Sequence, residues 1–113
     1  MRGYVIYEQM MKGNNEFVKH LVKTETTINK QYTYGMNTYT LLEIACRSNN
    51  KDIVSYLLKE KAEITPTAFK HACVFSTNHE ILKELIKNGA PVAYLNNVFS
   101  PSNHKTNYGS LYL

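Results

Sequence analysis

One apolar pattern that recurs three times along the chain constrains its fold more than any other feature. The segments Phe17–Val22, Ile53–Leu58 and Ile81–Ile86 each place apolar residues at positions i, i+1, i+4 and i+5. On an α-helix these positions form a single stripe, so each segment is predicted to be an amphipathic helix. The starts of the segments lie 36 and 28 residues apart, and a period in this range is typical of a repeat protein.

A second helical segment precedes each of these stripes, at 5–12, 41–48 and 67–75. Polar residues that favour tight turns lie between the two members of each pair. We therefore predict three helix-turn-helix pairs, each closed by a short turn. The turn residues are Gly13-Asn14-Asn15, Asn49-Asn50-Lys51 and Thr77-Asn78-His79.

The openings of the second and third pairs resemble a known repeat. Residues 40–45 read Thr-Leu-Leu-Glu-Ile-Ala, and residues 67–72 read Thr-Ala-Phe-Lys-His-Ala. Both are similar to the Thr-Pro-Leu-His-x-Ala opening of the ankyrin repeat in their Thr, their apolar third residue and their Ala, but they lack its Pro and His. Thr40 and Thr67 are placed to cap the first helix of each unit, because a Thr hydroxyl accepts hydrogen bonds from unpaired N–H groups.

The ends of the same two units strengthen the resemblance. Residues 53–62 and 81–90 are similar to the ankyrin closing pattern Ile-Val-x-x-Leu-Leu-x-x-Gly-Ala. Lys61 stands at the glycine position of the second unit, whereas the third unit retains Gly89. A glycine at this position supplies the left-handed backbone conformation that ends a helix. The first unit departs most from the pattern, with Gln9 at the alanine position of the opening motif.

The ankyrin resemblance implies an all-α solenoid of about three helix-turn-helix units followed by an irregular C-terminal tail. We expect the repeats in residues 1–93, with units at about 4–30, 38–64 and 65–92, and the tail in residues 94–113. A solenoid of three units has an apolar end that must be covered, so the tail is expected to fold back as a cap. A longer array or a second copy of the chain would cover that end equally well.

Residues equipped for catalysis or metal binding are not recognisable in this sequence. It has no Gly-rich phosphate loop, no Gly-x-Ser-x-Gly elbow and no close pair of carboxylates, and its four histidines lack the spacing of metal ligands. Cys46 and Cys73 occupy equivalent positions of neighbouring helices, too far apart for a disulfide, and are predicted to be buried core residues. We therefore predict a protein that is not an enzyme and that needs no cofactor or metal.

Composition narrows the setting and the class of partner. The 113 residues are 43% hydrophobic and 19% charged, enough to fold as one domain. No stretch approaches the roughly 18 apolar residues that cross a bilayer, and no signal peptide is recognisable, so we expect an intracellular, cytoplasmic protein without a membrane partner. The net charge of +4 comes from Lys and Arg residues spread singly along the chain. We interpret them as solvated helix faces and not as a nucleic-acid surface.

The ankyrin resemblance also implies a function, which is to bind another protein on the concave surface formed by the first helices and the loops that precede them. In the family, the partner-facing positions precede the Thr that opens the first helix and follow its small alanine. The residue types at these positions here, among them Tyr, Met, Phe and Arg, are enriched in protein interfaces. The residues are Met36, Asn37, Tyr39, Arg47 and Ser48 in the second unit, Val74 and Phe75 in the third, and Met11 and Lys12 in the first.

Other interpretations of the same residues stay open. Tyr32, Tyr34 and Tyr39 lie in a link that is longer than the standard one and would then only cover it, while Phe75 would fold inward. Separately, the alternatives for the chain as a whole are a structural or self-assembling fragment of a longer array and a weak nucleic-acid binder. Frequent Asn and Tyr are typical of AT-rich genomes such as those of protozoa and large DNA viruses, and in that setting we expect a host-directed adaptor or inhibitor.

Overall fold

The computed structural model describes residues 2–24, 27–75 and 79–90. Within these residues, six helices form the three predicted pairs, and a short hairpin lies between the first pair and the second. The predicted tail at 94–113 and the turn residues Thr77 and Asn78 lie outside the described residues. The elements in chain order are α1 (Gly3–Met11), α2 (Asn15–Thr24), β1 (Gln31–Tyr34), β2 (Asn37–Thr40), α3 (Leu41–Arg47), α4 (Lys51–Lys59), α5 (Pro66–Phe75) and α6 (Glu80–Lys87).

The helices are arranged in two layers with the hydrophobic core between them. The first helices, α1, α3 and α5, pack side by side, and the second helices, α2, α4 and α6, do the same behind them. The predicted solenoid of helix-turn-helix units is thereby confirmed. Each fully buried aliphatic or aromatic side chain contributes about 1.5–3 kcal/mol to folding. The residues with no exposed surface include Ile6, Val18, Ile44, Ile53, Leu57, Phe69 and Leu85.

The turns that end the helices repeat one hydrogen-bond pattern along the chain. The N–H of Ala62 donates to the carbonyl of Leu57 at 3.0 Å, and the N–H of Ala90 donates to that of Leu85 at 3.0 Å. This bond closes a Schellman motif and requires a left-handed residue just before it. Lys61 and Gly89 occupy that position with φ of 72° and 100°. The left-handed conformation predicted for Gly89 is thus confirmed, and Lys61 adopts it at the glycine position of the second unit.

The helix caps agree with the prediction in the second unit and differ in the third. Thr40 caps α3 by accepting from the N–H of Glu43 at 3.3 Å, as predicted. Thr67 does not cap α5, because that helix begins at Pro66 and the hydroxyl of Thr65 accepts from the N–H of Ala68 at 3.1 Å. Proline is favoured at the first helical position because it has no N–H to satisfy and its φ is already helical. Consequently α5 opens on Thr65 and Pro66 and has 10 residues, against 7 in α3.

The side chain of Glu43 connects the second and third units. One of its oxygens, Oε1, accepts from the N–H of Thr40 at 2.9 Å and completes a capping box on α3. The other, Oε2, accepts from the hydroxyl of Thr65, which itself caps α5. Glu43 is only 6% exposed, so these bonds satisfy a buried carboxylate and fix the openings of two neighbouring helices relative to each other.

The tyrosine-rich link folds into a β-hairpin, which its sequence pattern does not predict. Strands β1 and β2 pair antiparallel, with Gln31 opposite Thr40 and Tyr34 opposite Asn37. The two-residue connection begins at Gly35, whose φ of 64° suits the tight turns that join antiparallel strands. Side chains alternate along β1, so that Tyr32 is 3% exposed and packs into the core. The hairpin therefore anchors the link to the first and second units.

The two cysteines are both free. Cys46 is fully buried in the core, as predicted, whereas Cys73, for which burial was also predicted, is only half-buried. Burial raises the pKa of the Cys46 thiol above its ordinary value, and the nearby charge of Glu43 raises it further. The pKa of Cys73 is also raised by burial. Both residues therefore behave as packing residues and not as activated nucleophiles.

Candidate functional site

Two adjoining depressions run across the ends of the first helices. The larger, of about 750 Å³, extends from α1 past the end of α3 to the start of α4, and the smaller, of about 380 Å³, lies between β2, α3 and α5. Arg47 and Phe75 line both depressions, which makes them parts of one surface. We call this surface the Arg47 groove. Its further lining residues include Met11, Lys12, Asn37, Tyr39, Ser48, Lys51, Asp52, Lys70, His71 and Val74.

The groove brings together eight of the nine residues that the sequence predicted to face a partner. Met36 is the exception, since it lies at the tip of the hairpin with 99% of its surface exposed and lines neither depression. Ser48 lines the groove but is 7% exposed, and its hydroxyl donates to the carbonyl of Ala45 at 3.0 Å. The apolar side chains available at this surface are Met11, Val74 and Phe75, at 57%, 58% and 38% exposure.

Arg47 lies at the centre of the groove on the last residue of α3. Its guanidinium carbon is 4.7 Å from the ring centre of Phe75, 5.1 Å from that of Tyr34 and 6.0 Å from that of Tyr39. Its Nε donates to the hydroxyl of Tyr34 at 3.3 Å. Each ring face attracts the cation through its quadrupole. Because β1 and β2 deliver the tyrosines and α5 delivers Phe75, the position of Arg47 depends on the hairpin and on the third unit together.

The rings around Arg47 belong to a longer row of aromatic contacts, which are edge-to-face except for the tilted pair of Tyr34 and Tyr39. The ring centres of Tyr7 and Tyr34 are 5.9 Å apart, and those of Tyr34 and Tyr39 are 5.3 Å apart. The ring centre of His71 lies 4.9 Å from that of Tyr39 and 5.6 Å from that of Phe75. Tyr7 and His71 are not predictable from the sequence as part of this site, because nothing in their local spacing sets them apart from other helix residues. The row spans α1, the hairpin and α5, so it connects the elements that line the groove through favourable aromatic contacts.

Comparison with known proteins identifies the architecture. A family model described as "Ankyrin repeats (3 copies)" matches residues 6–96. The chain is a member of the ankyrin-repeat family. A search of the curated proteins and a search of the solved structures found no match. Ankyrin repeats are in general protein–protein interaction modules and are typically not enzymes.

The surface charge of these ankyrin repeats is uneven at the groove. Four cationic side chains line it, against one carboxylate. Lys51 is within 3.6 Å of a Glu80 oxygen across the second helices, so part of its charge is compensated. Arg47 has no carboxylate within ion-pairing distance among the residues that the structure describes. The other groove cations are Lys12 and Lys70, and the carboxylate is Asp52.

His71 is the titratable residue of the groove whose environment changes its protonation most clearly. Its Nδ1 lies 2.9 Å from the carbonyl oxygen of Glu43, which can only accept, so Nδ1 carries a proton. Burial lowers the pKa of the imidazole below its ordinary 6.5, and the charges of Arg47 and Lys70 lower it further, against the opposing effects of the Glu43 carbonyl and carboxylate. The neutral ring is therefore the form that packs between Tyr39 and Phe75 near pH 7.

Acidification is expected to destabilise these ankyrin repeats through His71. Since its folded-state pKa is lowered, the unfolded chain takes up a proton first as the pH falls through about 6.5, and the free energy of unfolding decreases from there. Urea titrations at a series of pH values measure this dependence. In His71→Gln, which removes the titratable imidazole, we expect a shallower decrease than in the wild type. His20→Gln removes an exposed imidazole as a control, and a wild-type slope in His71→Gln would refute the assignment.

Two structural features are absent from the described part of this ankyrin protein. No helix there has the length and apolarity that a bilayer crossing requires. No group of three or more His, Cys, Asp or Glu side chains in residues 2–24, 27–75 and 79–90 is placed to hold a metal ion.

Proposed function

We propose that this chain binds a partner protein in the Arg47 groove and acts as an adaptor or inhibitor through that contact. The observation that carries the proposal is the convergence of all three first helices and the hairpin at one surface. Met11, Arg47 and Phe75 come from α1, α3 and α5, and Tyr39 comes from β2. Methionine, aromatic residues and arginine are enriched at protein interfaces and among their energetic hot spots.

The surface suits a partner because much of its apolar area faces solvent. Met11 and Val74 are apolar residues that nevertheless expose more than half of their surface to solvent. Burial of such side chains by a partner is favourable, at about 25 cal/mol for each Å² removed from water. The aromatic row keeps the groove preformed, which reduces the entropy lost on binding. The two free cysteines support a reducing, cytoplasmic setting for this interaction.

Affinity capture with a neutral double variant tests the proposal. Met11→Gln/Val74→Gln removes the two exposed apolar groups of the groove without changing its charge, and we expect it to retain about tenfold less partner than the wild type. The protein is immobilised, incubated with lysate of cells that naturally contain it, and the retained proteins are quantified by mass spectrometry. Circular dichroism of each variant checks that its helices are intact.

The matched control places the same change elsewhere on the surface. Val5→Gln/Ile86→Gln replaces two side chains that are each 41% exposed and that line neither depression of the groove. This variant should capture the same partners as the wild type. Equal losses in both variants would move the binding site away from the groove. Concentration-dependent oligomers in light scattering, with no captured partner, would instead favour self-assembly.

A further inference from the structure

We infer that the segment bound in the Arg47 groove is acidic, with an Asp or Glu side chain that pairs with the guanidinium of Arg47 and an apolar side chain beside it. The inference rests on the proposed function and gives the partner a chemistry. It follows from three features of the groove: the unused donors of Arg47, the excess of cations around it, and the exposed apolar side chains on either side.

The contacts that position the guanidinium of Arg47 use only part of its hydrogen-bonding capacity. Three rings hold it, and its Nε donates to Tyr34. Among the described residues, no acceptor meets the remaining N–H groups on its two terminal nitrogens. A planar fork of N–H donors matches the two oxygens of a carboxylate. Because Arg47 is half-buried, an ion pair here would be screened less by water than one on an open surface.

The charges around Arg47 favour the same ligand. Lys12 and Lys51 lie on one side of it and Lys70 lies on the other, whereas Asp52 is the one carboxylate among the lining residues. A basic segment would meet this excess of positive charge and would be repelled. An acidic segment would be attracted during approach as well as in the bound state.

The apolar side chains of the groove favour an acidic polypeptide over a nucleic acid as the ligand. Val74 and Phe75 flank Arg47 on α5, and Met11 lies across the larger depression. A nucleic acid binds through closely spaced phosphates and through bases stacked on open ring faces. Here Arg47 already covers one face of Phe75 and one face of Tyr34, which leaves less ring surface for stacking with bases. The apolar flanks instead fit aliphatic or aromatic side chains next to the carboxylate.

Selection from a library of short random peptides displayed on phage tests the inference on the whole chain. Peptides are selected in parallel on the wild type, on Arg47→Gln and on Lys59→Gln, which removes an exposed cation of α4 outside the groove. With the wild type and with Lys59→Gln we expect enrichment of sequences in which Asp or Glu neighbours an apolar residue. With Arg47→Gln that enrichment should disappear, although the protein has the same net charge as Lys59→Gln. Thermal melts of both variants verify that they are folded.

A cycle of matched changes then measures the pairing directly. An enriched peptide and its isosteric analogue, with Asp changed to Asn or Glu to Gln, are titrated by fluorescence anisotropy. With the wild type, we expect the analogue to bind at least about tenfold more weakly than the acidic peptide. With Arg47→Gln, the affinities of the two peptides should differ by less than about twofold, because the ion pair is already absent there. Arg47→Lys keeps the charge but not the planar fork, so its affinity difference between the two peptides should lie between those of the wild type and Arg47→Gln.

The other outcomes separate this inference from the function on which it rests. Enriched peptides that are purely apolar, that bind Arg47→Gln as well as the wild type and that weaken with Met11→Gln/Val74→Gln would overturn the acidic partner and leave the proposed function standing. A labelled single-stranded oligonucleotide that binds more tightly than any peptide, and in an Arg47-dependent way, would overturn both. A selection that enriches no peptide above the background of uncoated wells would overturn the inference as well.

Discussion

Replacing Phe69 with alanine is expected to lower the free energy of unfolding by about 3–5 kcal/mol. Phe69 is fully buried on the face of α5 that packs into the core. Removing the ring leaves a cavity that the neighbouring side chains fill only in part. The free-energy cost of this cavity therefore adds to the free energy lost with the buried ring. Urea unfolding followed by circular dichroism measures the change. A domain of this size is typically stable by about 5–15 kcal/mol, so the variant is expected to be marginal.

Phe75→Ala is the matched control for this change, because it removes the same ring from the same helix at a site that is 38% exposed. We expect its effect to stay within about 1 kcal/mol, most of it from the lost contacts with Arg47 and His71. If Phe69→Ala does not fold at all, Phe69→Leu gives a smaller cavity and a measurable transition. Equal destabilisation by the two alanine variants would contradict the packing described for α5.

Glu43→Ala is expected to destabilise the protein by about 2–4 kcal/mol, because it leaves one buried and one half-buried donor without an acceptor. These are the N–H of Thr40 and the hydroxyl of Thr65. The change also removes half of the capping box of α3, and it removes the acceptor that orients Thr65, the cap of α5. Chemical denaturation again provides the measurement, and the loss is expected to appear in one transition because both helices lie in the same core.

Two further variants show whether the hydrogen bonds of Glu43 cause this loss. Glu43→Gln keeps one acceptor oxygen and nearly the same volume, and a threonine hydroxyl can rotate to accept from the new amide, so we expect a smaller effect than with alanine. Glu60→Ala removes an exposed carboxylate at the end of α4 and should change stability by less than about 0.5 kcal/mol. Equal effects of the alanine and glutamine changes at position 43 would mean that charge, and not hydrogen bonding, dominates.

The helical part of the fold was predictable because its signal repeats. Each second helix buries a stripe with the period of an α-helix, and three copies at similar spacing make chance agreement improbable. The left-handed ends were predictable for the same reason, since Gly89 marks the position that Lys61 occupies in the second unit. The groove followed from this register, which explains why eight of its predicted residues converge.

The features that escaped prediction depend on contacts between segments that are distant in sequence. Strands of 4 residues are too short to give a clear alternating pattern, so the hairpin could not be separated from an irregular link. The capping residue of α5 was predicted two positions too late, because the ankyrin opening motif was matched at Thr67, whereas Thr65 caps the helix and Pro66 starts it. The role of His71 arises only when α3 brings the carbonyl of Glu43 to its Nδ1.

The aromatic row also gives the protein a built-in optical probe. The chain has nine tyrosines and no tryptophan, so its intrinsic emission comes from tyrosine alone. Tyr34 and Tyr39 lie against the guanidinium of Arg47 in the groove, and a ligand that pairs with that group alters the surroundings of both phenols. The near-ultraviolet circular dichroism and the fluorescence of the unlabelled protein therefore report when the groove is occupied, provided that the added ligand carries no tyrosine or tryptophan of its own.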